Sequence, residues 1–262
     1  MEKRPVPLPL LFSLSRVLKR TVFSRNFYDQ INKQVLANTA TVDANLYFLC
    51  YSTKLAAAIL MNREYIIDWC QRHLGVTPRL WSEKFKTSLA THLQAISSYV
   101  ADVRIFNRLT DAIKYMPWAI DEFSALVDPS ATGPLVTRFV NFLQAVNCIV
   151  LELFENAGWL TDHNWVGTSD NASWSAWTYV WSSRVWAAYV IIEIIELFRR
   201  VPRSKWDKNW KIAVFRNAIQ IPLVVHWSLY DGCLTPFWVG VCGTGASWWG
   251  FRDIWANIFK TL

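Results

Sequence analysis

The stretch from Gly232 to Phe251, "GCLTPFWVGVCGTGASWWGF", carries no Asp, Glu, Lys or Arg over 20 residues. As a helix it would extend ~30 Å, the thickness of a bilayer's hydrocarbon core. Its glycines invite a second reading, a loop that cradles phosphate, but such a loop needs a helix N-terminus and a following Lys-Ser/Thr pair. No cation occurs between Asp231 and Arg252, and Thr235-Pro236 reads as an N-cap and first helical residue, which puts the glycines inside a helix. At roughly 100° per residue, Gly240, Gly243, Thr244, Ser247 and Gly250 fall on one face. Small residues in a stripe let another helix backbone approach closely, the packing logic of helices in lipid. A tightly packed helix in a soluble core is the alternative. We expect this face to serve helix packing and self-association.

Composition favours lipid. Trp accounts for 16 of 262 residues, and 13 of them lie at or beyond Trp159. Charged residues make up only 18%, below the soluble average of about a quarter. Tryptophan prefers the boundary between water and lipid, so its concentration in a charge-poor half points to a membrane there. The net charge of +7 suits an anionic lipid surface or nucleic acid. The cations flank apolar runs and lack a groove-reading context, so nucleic acid is not expected.

The chain reads as all-α, because long helix-period segments are separated by short polar turns and strand alternation is almost absent. The first 40 residues form a basic N-terminal segment, read as amphipathic and not as a secretory signal. Asp43 is the expected N-cap of a helix to about Met61, and a second helical stretch runs from about Trp81 to Met116, ending before Pro117. "VDPSATGPL" (127–135) is the clearest linker. It divides a membrane-surface helical region, 41–134, from a membrane-embedded region, 135–262. Four helical candidates follow, at about 135–158, 174–198 and 209–230 (bent at Pro222), with the last beginning after "DGCLTP". The expected architecture is a helical integral membrane protein whose C-terminal pair forms a hydrophobic hairpin. Arg199, Arg200, Arg203, Lys205, Lys208 and Lys211 crowd one connection, whereas the preceding one holds Asp162 and Asp170 without a cation. If all four candidates span, the positive-inside rule puts the N-terminal region, the 199–211 loop and the C-terminus in the cytosol.

Residues 104–116, "RIFNRLTDAIKYM", separate sharply by polarity. Arg104, Asn107, Arg108, Asp111 and Lys114 occupy one side, and Ile105, Phe106, Leu109, Ala112, Ile113 and Met116 the other. Two placements fit this pattern. The helix lies in a leaflet with its cations on anionic headgroups, or its apolar side packs on the 43–61 helix while its charges face water.

Other chemistry is sparse. The five cysteines have no paired spacing and the four histidines no ligand spacing, so no metal or cofactor is expected. No nucleophile elbow, Walker loop or zinc helix occurs, and no catalytic residues are assigned.

The order of elements resembles the peroxin-11 family of peroxisomal membrane-elongation proteins. The residues that carry it are "VDANLYFLCYSTKLAAAIL" (42–60), "ADVRIFNRLTDAIKYMPW" (101–118), "LELFENAGWLTDHNWVG" (151–167), "WSSRVWAAYVIIEIIELFRR" (181–200) and, most specifically, 215–255 with its Arg-Asn, Pro, Asp-Gly and glycine-rich helix in order. The likeness covers about 40–258. It implies a non-enzymatic, multi-pass peroxisomal membrane protein that self-associates, elongates the membrane and works with other family members and a dynamin-type fission machinery. The family's inserting helix would correspond to 101–116, with Arg104, Ile105, Phe106, Arg108, Leu109, Ile113 and Lys114 meeting an anionic phospholipid membrane. Asp102 and Asp111 make this stretch less cationic than the family's usual stripe, which suggests a divergent member. The alternative is a pore or metabolite channel, motivated by Arg138, Glu152, Glu155, Arg184, Glu193 and Glu196 inside the candidate spans.

Overall fold

The computed structural model describes residues 17–75 and 83–262. The first 16 residues of the basic N-terminal segment and the expected helix start at Trp81 lie outside them. The described residues are helical throughout, with no strand among them. The elements are α1 (Arg25–Ile31, continued by a π-turn over Asn32–Leu36), α2 (Thr39–Met61), α3 (Arg63–Leu74), α4 (Glu83–Asn107) and α5 (Asp111–Val127). Then come α6 (Leu135–Asp162), α7 (Asn171–Arg200), α8 (Lys208–Ala218), α9 (Ile221–Trp227) and α10 (Pro236–Lys260).

Local chemistry explains most boundaries. Asn38, not Asp43, starts α2, because its side-chain oxygen accepts from the Ala40 N–H at 2.8 Å. Asp170 caps α7 through the Ser173 N–H and Asp207 caps α8 through the Trp210 N–H. Pro236 opens α10 as its fixed φ favours. The 209–230 candidate breaks at Ile219–Gln220 and restarts around Pro222, giving two short helices. Two adjustments concern the middle of the chain. The expected helix from 81 to 116 breaks at 108–110, where successive i→i+3 bonds (Arg108 to Ile105, Leu109 to Phe106, Asp111 to Arg108) form a tight turn. Pro117 lies inside α5, not at its end, and leaves the Ile113 carbonyl without its helical donor.

The chain forms two compact units. Of the described residues, one holds those up to Asn45 together with Trp248–Leu262, and the other those within Leu46–Ser247. In the first, Asn26 donates to the Thr261 carbonyl at 3.2 Å, the Trp255 indole donates to Asn45 at 2.8 Å, and Phe27 meets Phe259. In the second, α6 is the central helix, packed against α5 and α7 and touched by α4, while α8 and α9 lie on α7. The 127–135 linker therefore joins two helices packed on one another inside this unit. Asp128 there accepts from the backbone and hydroxyl of Ser130, which holds its carboxyl below the ordinary range. Arg138 turns back from α6 to donate to the carbonyls of Ala125 and Asp128, satisfying the open end of α5.

A small apolar core in this unit gathers Leu223, Val239 and Cys242, with Tyr51, Trp186, Ile219 and Leu234 around it. The glycines of α10 belong to that core. A methyl on Gly240 would come within 2.7 Å of the Leu55 backbone, and one on Gly243 would lie 2.0 Å from the Tyr51 ring. Gly240 and Gly243 thus admit α2 of the same chain, which corrects their expected use in self-association. Ser247 is buried and donates to the Gly243 carbonyl, and the Thr244 hydroxyl is also buried. Gly250, by contrast, faces open space.

Candidate membrane surface and polar seam

The outer faces of three helices in the second unit carry large apolar side chains that are substantially exposed. On α5 they are Ile113, Met116, Ile120, Phe123 and Val127, spaced three and four residues apart, with Ile113 70% and Val127 59% exposed. On α7 the same spacing relates Trp174, Trp177 and Trp181 at one end, and Ile191, Ile195 and Phe198 at the other. Leu135, Val136, Phe139, Leu143 and Leu153 are the exposed large apolar residues of α6. A side chain repeating at i, i+3, i+7 stays on one side of a helix, so the α5 set is a continuous stripe, whereas those of α6 and α7 are interrupted between 143 and 153 and between 181 and 191.

Polar groups occupy the interior instead. Gln144 and Glu152 are each 3% exposed, and Asn156, Thr161, Ser175, Thr178, Ser182 and Glu196 are buried beside them. They form a seam between α6 and its neighbours. Gln144 donates to the Glu193 carboxylate at 3.0 Å and to the Tyr189 carbonyl at 3.2 Å, and Ser182 donates to the Leu151 carbonyl. At the far end Arg199 reaches Thr137 at 3.0 Å and Arg200 reaches Asn141 at 2.7 Å, while both guanidiniums pair with Glu196. Gly158 brings the two helices together, since a methyl there would lie 2.7 Å from the Thr178 hydroxyl.

The 101–116 stretch enters this seam from the other side. Arg108 pairs with Glu155 at 2.6 Å and approaches Glu152 at 3.8 Å. Asn156 donates to the Leu109 carbonyl at 3.0 Å. Asp102 accepts from the Trp159 indole at 2.7 Å and lies 3.1 Å from His163 Nε2, with the His163 ring stacked on Trp159. Arg104 lies over the Tyr47 ring at 4.3 Å, and Phe106 rests on Trp159 and Trp165. Lys114 pairs with Asp111. Ile105 is half-buried and Ile113 is exposed. The expected single wedge with its cations turned to headgroups is therefore corrected. The stretch is the end of one helix and the start of another, and Arg104 and Arg108 face protein. The periodicity is real, but the buried carboxylates of α6 attract the basic side inward.

The groups that motivated a channel are likewise engaged. Glu152, Glu155, Glu193 and Glu196 have the partners given above, Arg138 holds the end of α5, and Arg184 donates to the Ser228 carbonyl. Among the described residues no group of His, Cys, Asp or Glu could hold a metal ion.

Among the described residues two helices, α2 and α6, are long and apolar enough to cross a membrane. The hairpin expected at the C-terminus is not among them. Its first arm is split into α8 and α9, of 11 and 7 residues, and neither reaches ~30 Å alone. Sequence reading missed the lower half of the α5 stripe, because Pro117 suggested a stop before Ile120, Phe123 and Val127. It also missed the seam, whose members share faces only once α6 and α7 are paired.

Comparison of this chain with family models, curated proteins and solved structures finds no match.

Proposed function

We propose that the chain is a non-enzymatic membrane-shaping protein of the peroxisome, multi-pass and related in kind to peroxin-11, which elongates the organelle's membrane before fission. One observation carries the membrane part of this reading: large apolar side chains lie outside and hydrogen-bonded polar ones inside. In water that arrangement leaves apolar area exposed, whereas in lipid it is the expected partition. The low burial of the candidate spans agrees, at 22% for α2 and 17% for α6, since a core helix of a soluble protein would be mostly covered. The peroxisomal part rests on the resemblance of the quoted segments.

In this reading α2 and α6 are the membrane-crossing helices and α7 packs along α6. The tryptophans around 165–181 mark one interface and the basic 199–211 connection the cytosolic one. The shaping element is α5, not 101–116. Its stripe from Ile113 to Val127 enters one leaflet while Arg138 holds its C-terminal end to α6. Insertion into one leaflet expands that leaflet and favours curvature. The engaged state of the seam's ionisable groups supports a scaffold over a pore. Self-association and recruitment of a dynamin-type machinery belong to the same proposal.

The test is imaging of the full tagged chain beside a peroxisomal marker, with I120E/F123E as the paired variant. Elongated or clustered peroxisomes with the parent chain, and normal ones with the variant at unchanged location, are the expected result. Localisation to another membrane overturns the peroxisomal reading. A fully water-soluble chain overturns the membrane reading.

A further inference from the structure

Residues 201–211 are built more tightly than a connection between two helices requires. The Trp206 and Trp210 indoles stack at 4.1 Å with an interplanar angle of 5°, and both stand edge-on to Phe198 at the end of α7. Each ring N–H is spent on α7, Trp206 donating to the Val201 carbonyl and Trp210 to the Leu197 carbonyl. These bonds satisfy groups that a helix end leaves open, and they hold the connection in one shape. Asp207, its one acid, is occupied by the Trp210 backbone N–H at 2.7 Å.

The cations of this plate differ from several others among the described residues. Arg108 is paired with Glu155, Arg199 and Arg200 with Glu196, and Arg252 with Asp253. Arg203, Lys205, Lys208 and Lys211 are exposed and have no carboxylate partner among the described residues. Arg203 lies over the Trp206 ring at 5.5 Å, so the stacked indoles position it as well. Lys208 and Lys211 fall in the first turn of α8, where the helix dipole disfavours cations. An anion held there offsets that penalty.

We infer that the 201–211 plate binds anionic, phosphate-bearing lipid headgroups, with Arg203, Lys205, Lys208 and Lys211 as the contacting cations. The paired indoles favour a membrane as the source of the anion, because tryptophan settles at headgroup level and carries its neighbouring cations with it. An acidic protein segment would share the charge logic but has no use for a Trp pair fixed at a helix end. This inference rests on the membrane reading above.

The test uses the full chain in nonionic micelles doped with phosphatidylserine, phosphatidylinositol 4-phosphate or phosphatidylcholine, with lipid binding followed by fluorescence of a labelled lipid. The parent chain should prefer the anionic lipids and lose that preference as salt rises. R203Q/K205Q/K208Q/K211Q should abolish the preference while its thermal midpoint in phosphatidylcholine stays that of the parent. Should the quadruple variant fold poorly, K205Q and K208Q singly should each weaken binding about fivefold. Equal anionic preference in parent and variants overturns the inference. So does equal affinity for soluble glycerophosphoinositol 4-phosphate, which would show a site for phosphate alone, and so does preferential binding of an oligoglutamate peptide. Alkaline carbonate extraction separates the two levels: a chain that resists extraction but ignores lipid charge sinks the headgroup site alone, and an extracted chain sinks the membrane reading with it.

Discussion

The inner and outer sides of the α6–α7 pair have opposite chemistry. Inward, the pair carries Gln144, Glu152, Asn156, Ser182 and Glu196, held by bonds between helices; outward it exposes Phe139, Leu153, Ile191 and Ile195. In a soluble bundle the apolar stripe goes inward and drives association. Here association depends on bonds and close approach. The outer surface is free to suit its solvent. Mutations on the two sides should therefore fail differently: inner ones through folding, outer ones through function.

The largest effect is expected at Arg108. Replacing it with Met leaves Glu155 and Glu152 facing one another without that cation, which should destabilise the fold by about 3–5 kcal/mol. Thermal unfolding in detergent would register this, and R108M/E155Q should recover a good part of the loss. A single variant as stable as the parent would break the idea that the seam holds the helices. Gly158→Val comes next. Its side chain would meet the Thr178 hydroxyl and the Tyr179 ring, at a cost of about 1–3 kcal/mol from overpacking. The same substitution at Gly250, where nothing lies within 4 Å, serves as the contrast. An equal loss at both positions would mean that helix propensity, not close approach, sets the cost. Trp159→Phe should be milder still. It keeps a six-membered ring but removes the indole's pyrrole half, which costs one hydrogen bond to Asp102, about 1 kcal/mol, and leaves a small cavity. Smallest of all in stability is I120S/F123S on the exposed stripe, within about 0.5 kcal/mol in detergent. Under the proposed function that variant also loses membrane elongation, measured as peroxisome length. A large loss of stability there would place the stripe in a packed interface and remove it as the shaping element.

Helix content, the short polar connections and the start of α10 at Pro236 were legible because they depend on local signals: turn residues, caps and apolar period. The close-packing glycines were also legible as a type, since only small residues admit another backbone. Their partner was not. Leu55 and Tyr51 lie far from Gly240 and Gly243 in the chain, and no periodicity in α10 names the helix that will cover it. The same limit applied to 101–116, whose polar side is as consistent with headgroups as with buried carboxylates.

The amino-acid sequence by itself therefore determined that this chain is helical, poor in charge, rich in tryptophan and basic at the 199–211 connection. Helix propensity, capping and composition act over a few residues and need no partner. Only the tertiary structure decided which side of each helix is inner. Arg108 turns to Glu155, Gly240 admits α2, and the α5 stripe stays exposed. The physical reason is that a stripe is a property of one helix, whereas burial is a property of two.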